Sequence, residues 1–230
     1  MDHAYLMLSL VAFAAGGIAA FLAGQRRWLV LTSGALATPA GLGDWLFVPE
    51  YWEPVHVVGP WLSLEGTLLS FGNGCLILAL ALPRGTRAAP PENAAHALLR
   101  LSWQMVSGAV VFVIAWRGAG LMVMHAVFVA FAFMFALLGW QRRLSVSLSL
   151  RGGFGLFVVH AAGTLAWYGL DANFADLWGS DDYFWRLPFP PGIPVEEYLW
   201  AAVYGALWAN MIGFGFAAAA VPDTATRVRA

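Results

Sequence analysis

The sequence predicts an all-α, polytopic membrane protein with seven transmembrane helices, and the basis is its composition and hydropathy. Of the 230 residues, 60% are hydrophobic and only 11% are charged, whereas a soluble domain carries about a quarter charged residues. The mean hydropathy is +0.70. The apolar residues fall into blocks of about 20, the length that crosses a bilayer. This pattern excludes a soluble enzyme, a disordered tail and a disulfide scaffold.

Seven apolar blocks are separated by short polar or aromatic segments, and a polar linker rich in Ala, Pro and Arg follows the third block. The boundaries of such blocks are uncertain by about 2 to 4 residues. The predicted spans are Ala4–Gly24, Trp28–Val48, Leu62–Leu82, Leu98–Trp116, Ala119–Trp140, Leu148–Leu170 and Pro194–Ala220.

The basic residues indicate an orientation. All twelve are arginine, and ten of them follow the first, third and fifth blocks or lie in the C-terminal tail. Because positive loops stay in the cytoplasm, we expect the N-terminus outside and the C-terminus inside. A chain rich in Ala and Arg that has no lysine is typical of GC-rich bacterial genomes, which indicates a bacterial inner membrane.

Missing residue types exclude several functions. Without lysine the chain can form neither a retinal Schiff base nor a P-loop. The net charge is −1 and there is no basic patch, so we expect no nucleic-acid partner. Cys75 is the single cysteine and cannot form an intrachain disulfide. His125 and His160 lack a carboxylate at helical spacing, so we predict helix-to-helix contacts for them and no metal site.

An internal repeat divides the chain. The segment Leu22–Arg27 after the first block is similar to Leu138–Arg143 after the fifth block. We therefore expect a three-helix repeat in residues 1–82, a linker and connecting helix in residues 83–118, and a second three-helix repeat in residues 119–230. The connecting helix adds one span, so both repeats have the same orientation and are related by an axis along the membrane normal.

Acidic residues stand at equivalent places in the two repeats. Glu65 opens the third helix, and Glu196 and Glu197 open the seventh. A carboxylate in a first helical turn also complements the helix dipole, so each alone is explained by capping. Their repetition behind aromatic, proline-containing loops favours two halves of one cavity. There, a buried carboxylic acid can protonate an alkene and a neighbouring carboxylate can take a proton back.

A second set of residues provides candidates for substrate binding. Asn73 and Asn210 fall near the same helix faces as Glu65 and Glu196, although buried asparagines equally often join helices. Tryptophan, present twelve times, is a common residue of the membrane interface, but aromatic faces can also stabilise a carbocation. The candidate binding residues are Asn73, Asn210, Trp52, Tyr183 and Trp200.

Both halves resemble the lycopene cyclase domain family, whose mark is a Pro-x-Glu-Glu/Asp signature that opens a helix once per repeat. The second copy, Pro194-Val195-Glu196-Glu197, matches this signature. In the first copy, Ser63-Leu64-Glu65-Gly66, serine replaces the proline and glycine replaces the second acid. An aspartate precedes each aromatic loop: Asp44 in the first half, and Asp171 or Asp176 in the second.

This resemblance implies a redox-neutral reaction on a linear isoprenoid, without a cofactor. An acid protonates the chain end, a tertiary carbocation forms, the ring closes and a base removes a proton. The implied catalytic residues are Glu65, Glu196, Glu197, Asp44 and Asp171. We expect a lipophilic isoprenoid or carotenoid substrate and membrane lipid as partners. Two alternatives are a cyclase or isomerase of another prenyl lipid, and a non-catalytic protein that binds or transports a lipid or pigment.

Overall fold

The computed structural model describes residues 4–48, 50–54, 56–57, 61, 63–83, 94–178 and 192–216, and in this part of the chain it contains seven α-helices. The all-α prediction is confirmed, since each predicted block contains one helix. The helices are α1 (Ala4–Leu22), α2 (Arg27–Gly41), α3 (Leu64–Ala81), α4 (Ala94–Val113), α5 (Val123–Trp140), α6 (Val146–Leu170) and α7 (Val195–Phe216).

The helix boundaries differ from the prediction by four residues or more at the end of α2, at the start of α4, and at the start of α5, which is Val123 instead of Ala119. Helix α2 ends at Gly41, two residues after Pro39, and a short 3-10 helix at Asp44–Leu46 follows it. At this end the chain changes to 3-10 hydrogen bonds, from the N–H of Leu42 to the carbonyl of Pro39 and from the N–H of Gly43 to that of Ala40. Helix α4 begins at Ala94, inside the predicted linker, and continues into a π-helical turn at Ile114–Gly118.

Five helices in the described residues are long and apolar enough to cross a membrane: α1, α3, α4 with its π-helical turn, α5 and α6. Large apolar side chains cover the outside of the bundle, as in Ile18 and Phe21 of α1, Val106 of α4 and Phe154 of α6, each more than half exposed. Apolar surface of this extent is unusual for a soluble monomer.

Helix α3 has the central position. It packs against α1 and α2 on one side and against α6 and α7 on the other, while α6 and α7 form a second close pair. The predicted repeats pack differently, because α1 packs on α3 and α2 whereas α5 packs mainly on α4.

Glycine allows two of these helix pairs to approach closely. A Cβ atom at Gly41 of α2 would overlap the carbonyl group of Gly66 in α3. In the other pair, a Cβ atom at Gly205 of α7 would lie 2.5 Å from the carbonyl oxygen of Gly152 in α6. Contact through small residues is typical of membrane helix bundles. The first contact brings the end of α2, and with it Asp44, against the start of α3.

Candidate functional site

The first group of polar side chains lies where α3 begins. Ser63 is the N-cap of α3, and its Oγ accepts a hydrogen bond of 2.8 Å from the backbone N–H of Gly66. The same hydroxyl donates to Oδ2 of Asp44 at 2.6 Å, and the Tyr5 hydroxyl donates to that oxygen at 2.6 Å. Burial raises the pKa of Asp44, and the hydrogen bonds from Ser63 and Tyr5 offset part of this increase.

Glu65 lies beside this group with its side chain fully buried. Its Oε1 accepts a hydrogen bond of 2.8 Å from the backbone N–H of Val57. Its Oε2 lies 3.7 Å from Nδ1 of His56 and accepts no hydrogen bond within the described part of the chain. The same Nδ1 is 3.4 Å from the hydroxyl of Ser63. The His56 ring therefore lies between the serine and the glutamate. We call Tyr5, Asp44, His56, Ser63 and Glu65 the first acid group.

Gly66 follows Glu65, and the structure leaves no space for a side chain at this position. A Cβ atom at this position would meet the carboxylate of Asp44 and the backbone of Gly41. The carboxylate of Asp44 thus fills the space next to position 66. The matching position of the second half is Glu197, so each half presents two acids at the start of its last helix.

The second group lies where α7 begins, and Glu196 and Glu197 are both buried there. Oε1 of Glu197 accepts a hydrogen bond of 3.1 Å from the indole of Trp178, and Oε2 lies 3.3 Å from Nε2 of His160 in α6. The His160 ring has an edge contact with Trp200 at a centroid distance of 6.0 Å. We call Trp178, His160, Glu196 and Glu197 the second acid group.

The two acid groups lie at the same end of the bundle, because the loops that carry them are in contact. The backbone N–H of Glu53 donates to the carbonyl oxygen of Leu177 at 2.8 Å. Trp52 and Trp178 lie 6.4 Å apart between ring centroids, and Trp52 also has an edge contact of 4.6 Å with Tyr5. Aromatic rings therefore connect the first acid group with the second.

An aromatic column runs along α7 away from this end. Trp200 stacks on Tyr204 at a centroid distance of 5.2 Å, and Tyr204 lies 5.9 Å from Trp208. Phe131 of α5 stacks on Tyr204 at 6.3 Å. The indole of Trp208 donates a 3.0 Å hydrogen bond to Ser33 of α2. The column begins next to His160 and continues into the core of the bundle.

Other predicted site residues have different surroundings. Asn73 is buried in α3. Asn210 accepts a 2.7 Å hydrogen bond from the N–H of Ser145 and donates to Ser149 at 2.8 Å, so it joins α7 to the start of α6. This is the helix-joining alternative that the sequence left open.

The two aspartates proposed as the second-half counterpart of Asp44 lie at or within the short 3-10 helix that follows α6. Asp171 caps the short 3-10 helix Ala172–Leu177 by accepting a 3.0 Å hydrogen bond from the N–H of Asn173. Asp176 is exposed on that helix. Tyr183, the remaining candidate, lies outside the described residues.

Sequence reasoning missed Tyr5, His56, Ser63 and Trp178 as members of the acid groups. Tyr5 is one of two hydroxyl side chains in a largely apolar span, and His56 lies in a loop without periodicity, so neither has a pattern that predicts its neighbours. His160 was expected to contact another helix, and its partner is Glu197 of α7. Only the structure shows that each acid group contains a histidine close to a glutamate carboxylate.

Comparison of the chain with the models of known protein families, with curated proteins and with solved structures finds no match. The argument for function therefore depends on the geometry of the site. Buried carboxyl groups, imidazoles and hydroxyls within hydrogen-bonding reach of one another can hold and move protons. Aromatic rings around them can stabilise a positive charge.

Proposed function

We propose that the chain is an integral membrane protein of a bacterial inner membrane, with its N-terminus outside and its C-terminus in the cytoplasm. Five helices of sufficient length and hydropathy and an apolar exterior support this location. The placement of the arginines supports the orientation. In this arrangement both acid groups lie toward the outer face of the membrane.

We propose further that the protein is a terpenoid or carotenoid cyclase of the lycopene cyclase type. The observation that carries this proposal is the presence of two pairs of acids at one end of an apolar bundle, with aromatic rings between them. Glu65 and Asp44 form one pair, and Glu196 and Glu197 form the other. A redox-neutral cyclisation needs one group that gives a proton, one that takes a proton and an apolar place for the substrate.

In the proposed reaction, Glu65 or Glu196 donates a proton to the terminal double bond of a linear isoprenoid. The resulting tertiary carbocation is attacked by a second double bond, and the ring closes. Asp44 or Glu197 then removes a proton, which restores a double bond. One proton enters and one leaves, so the product has the mass of the substrate. The rings of Trp52, Trp178 and Trp200 stabilise the cation through their faces.

The test is expression in a bacterium that makes lycopene, followed by extraction, chromatography and absorption spectroscopy. We expect a product of unchanged mass that absorbs at shorter wavelength. It should disappear in Glu65→Gln or in Glu196→Gln, depending on which glutamate donates the proton, because each substitution keeps the size of the side chain and removes its acidity. The matched control is Glu53→Gln, because the Glu53 side chain is exposed at the same end of the bundle.

Unchanged lycopene, with the protein present in the membrane, would contradict the carotenoid substrate. The same assay with shorter prenyl lipids then tests the related cyclase. A protein that binds a prenyl lipid without converting it, and whose binding is the same in Glu196→Gln, would be a binder or transporter.

A further inference from the structure

We propose that His56 returns the proton from Asp44 to Glu65 after each reaction, through the hydroxyl of Ser63. This inference rests on the proposed function. A cyclisation of this kind leaves the donor without its proton and the acceptor with an extra one. The enzyme therefore has to move one proton from acceptor to donor before it can act again.

Ser63 and His56 lie in sequence between the two acids of the first acid group. Oδ2 of Asp44 is 2.6 Å from Oγ of Ser63, which is 3.4 Å from Nδ1 of His56. That nitrogen is 3.7 Å from Oε2 of Glu65. One ring nitrogen thus faces both the hydroxyl and the carboxylate, and a small rotation of the ring brings it closer to either.

Two further observations favour a path inside the protein. The side chain of His56 is only 3% exposed and that of Glu65 is 0% exposed, so solvent has little access to either. In addition, Oε2 of Glu65 and Nε2 of His56 are buried and have no hydrogen-bond partner among the described residues. Buried polar atoms normally have partners. This unpaired oxygen of Glu65 is the one that lies 3.7 Å from the His56 ring.

The transfer conserves the number of protons and involves no oxidation or reduction. When Asp44 is ionised, Ser63 donates its hydrogen bond to it. When Asp44 has taken a proton, it can donate to Oγ of Ser63, and the serine proton then moves to Nδ1 of His56. His56 releases this proton to Oε2 of Glu65. One O–H bond breaks at Asp44, one forms at Glu65, and Ser63 and His56 return to their starting states.

The first test is independent of activity and uses nitrogen NMR of protein labelled with ¹⁵N-histidine in detergent micelles. The signal of His56 is the one that His56→Asn removes from the five histidines. We expect its Nδ1 shift to lie between the values of a protonated and an unprotonated nitrogen. Ser63→Ala should move it toward the protonated value, and Glu65→Gln toward the unprotonated value. A shift that neither substitution changes would overturn the proposal.

Because Ser63 also caps α3, its substitution can disturb the fold. Unchanged signals of the other histidines show that the fold is intact, and Asp44→Asn provides a second variant. Asparagine can still accept the hydrogen bond of Ser63 but cannot return a proton to it. Because Asp44 interacts with His56 electrostatically and is connected to it through Ser63, the Nδ1 shift should change in Asp44→Asn, and an unchanged shift would contradict a path through Ser63.

The second test measures turnover with the cyclised product as readout. In His56→Asn we expect a first turnover at the wild-type rate, giving about one product per protein, and a steady-state rate reduced by about a hundredfold. The control is His96→Asn, an exposed residue of α4. If His56→Asn reduces the rate of the first turnover as much as the steady-state rate, the proposed return of the proton is overturned. If the wild-type protein converts no substrate, the proposed function fails, and the NMR result still decides whether His56 connects the two acids.

Discussion

At the scale of single residues, Asp44 is subject to two opposing influences. Burial disfavours its charge, whereas the hydroxyls of Tyr5 and Ser63 donate two hydrogen bonds of 2.6 Å that favour it. Burial has the larger effect, and the pKa of Asp44 is raised above its usual value of 3.8. A carboxyl group of this kind can exchange a proton closer to neutral pH than an exposed aspartate.

The raised pKa of Asp44 predicts how stability depends on pH. Below pH 3.8 the group is protonated in both the folded and the unfolded chain. As the pH rises, the unfolded chain releases this proton first, so the free energy of unfolding decreases until folded Asp44 also ionises. In Asp44→Asn this decrease should be absent. Thermal unfolding in detergent between about pH 4 and 7 measures it. Glu53→Gln is the control, and equal pH dependence in Asp44→Asn and wild type would contradict the prediction.

Arg26 has a structural role that its place in a charged loop did not predict. It is buried, and its guanidinium donates hydrogen bonds of 2.7 and 3.0 Å to the carbonyl oxygens of Leu82 and Pro83, which closes the end of α3. Removing it leaves the buried carbonyl group of Leu82 without this donor, at a cost of about 1–3 kcal/mol. We therefore expect Arg26→Met to lower the melting temperature clearly. The exposed neighbour variant Arg27→Met should change it little, and similar losses in both would contradict the capping role.

At the scale of helices, the contact of α6 with α7 depends on glycine. A Cβ atom at Gly205 would lie 2.5 Å from the backbone oxygen of Gly152, so the helices would have to separate. Overpacking of this kind costs about 1–3 kcal/mol. Gly205→Ala should therefore lower the melting temperature. Gly163→Ala on α6 is the control, because nothing lies within 4 Å of its Cβ position. Alanine forms helices better than glycine does, so Gly163→Ala should not lower the melting temperature. If it lowers the melting temperature as much as Gly205→Ala does, this explanation is contradicted.

The helices themselves were predictable, because each apolar block is long and continuous. The end of α2 could not be predicted in this way, because the apolar pattern continues where the backbone changes to 3-10 hydrogen bonds at Leu42 and Gly43. The glutamates of the site could be predicted because they recur at the start of α3 and α7. Their partners could not, since His56 and Trp178 reach the acids from loops whose path depends on tertiary contacts.

At the scale of the whole molecule, the arrangement of arginines predicts that the acid groups lie on the outer side of the membrane and the loop between α1 and α2 on the inner side. Single cysteines test this in spheroplasts with a membrane-impermeant maleimide. Asn173 is exposed near the acid groups, and Gln25 is exposed at the opposite end of the bundle. The native Cys75 is fully buried, so it should contribute little background. We expect Asn173→Cys to react in intact spheroplasts and Gln25→Cys to react only after permeabilisation. The reverse pattern would contradict the orientation, and equal reaction of both in intact spheroplasts would contradict a bundle that crosses the membrane between them.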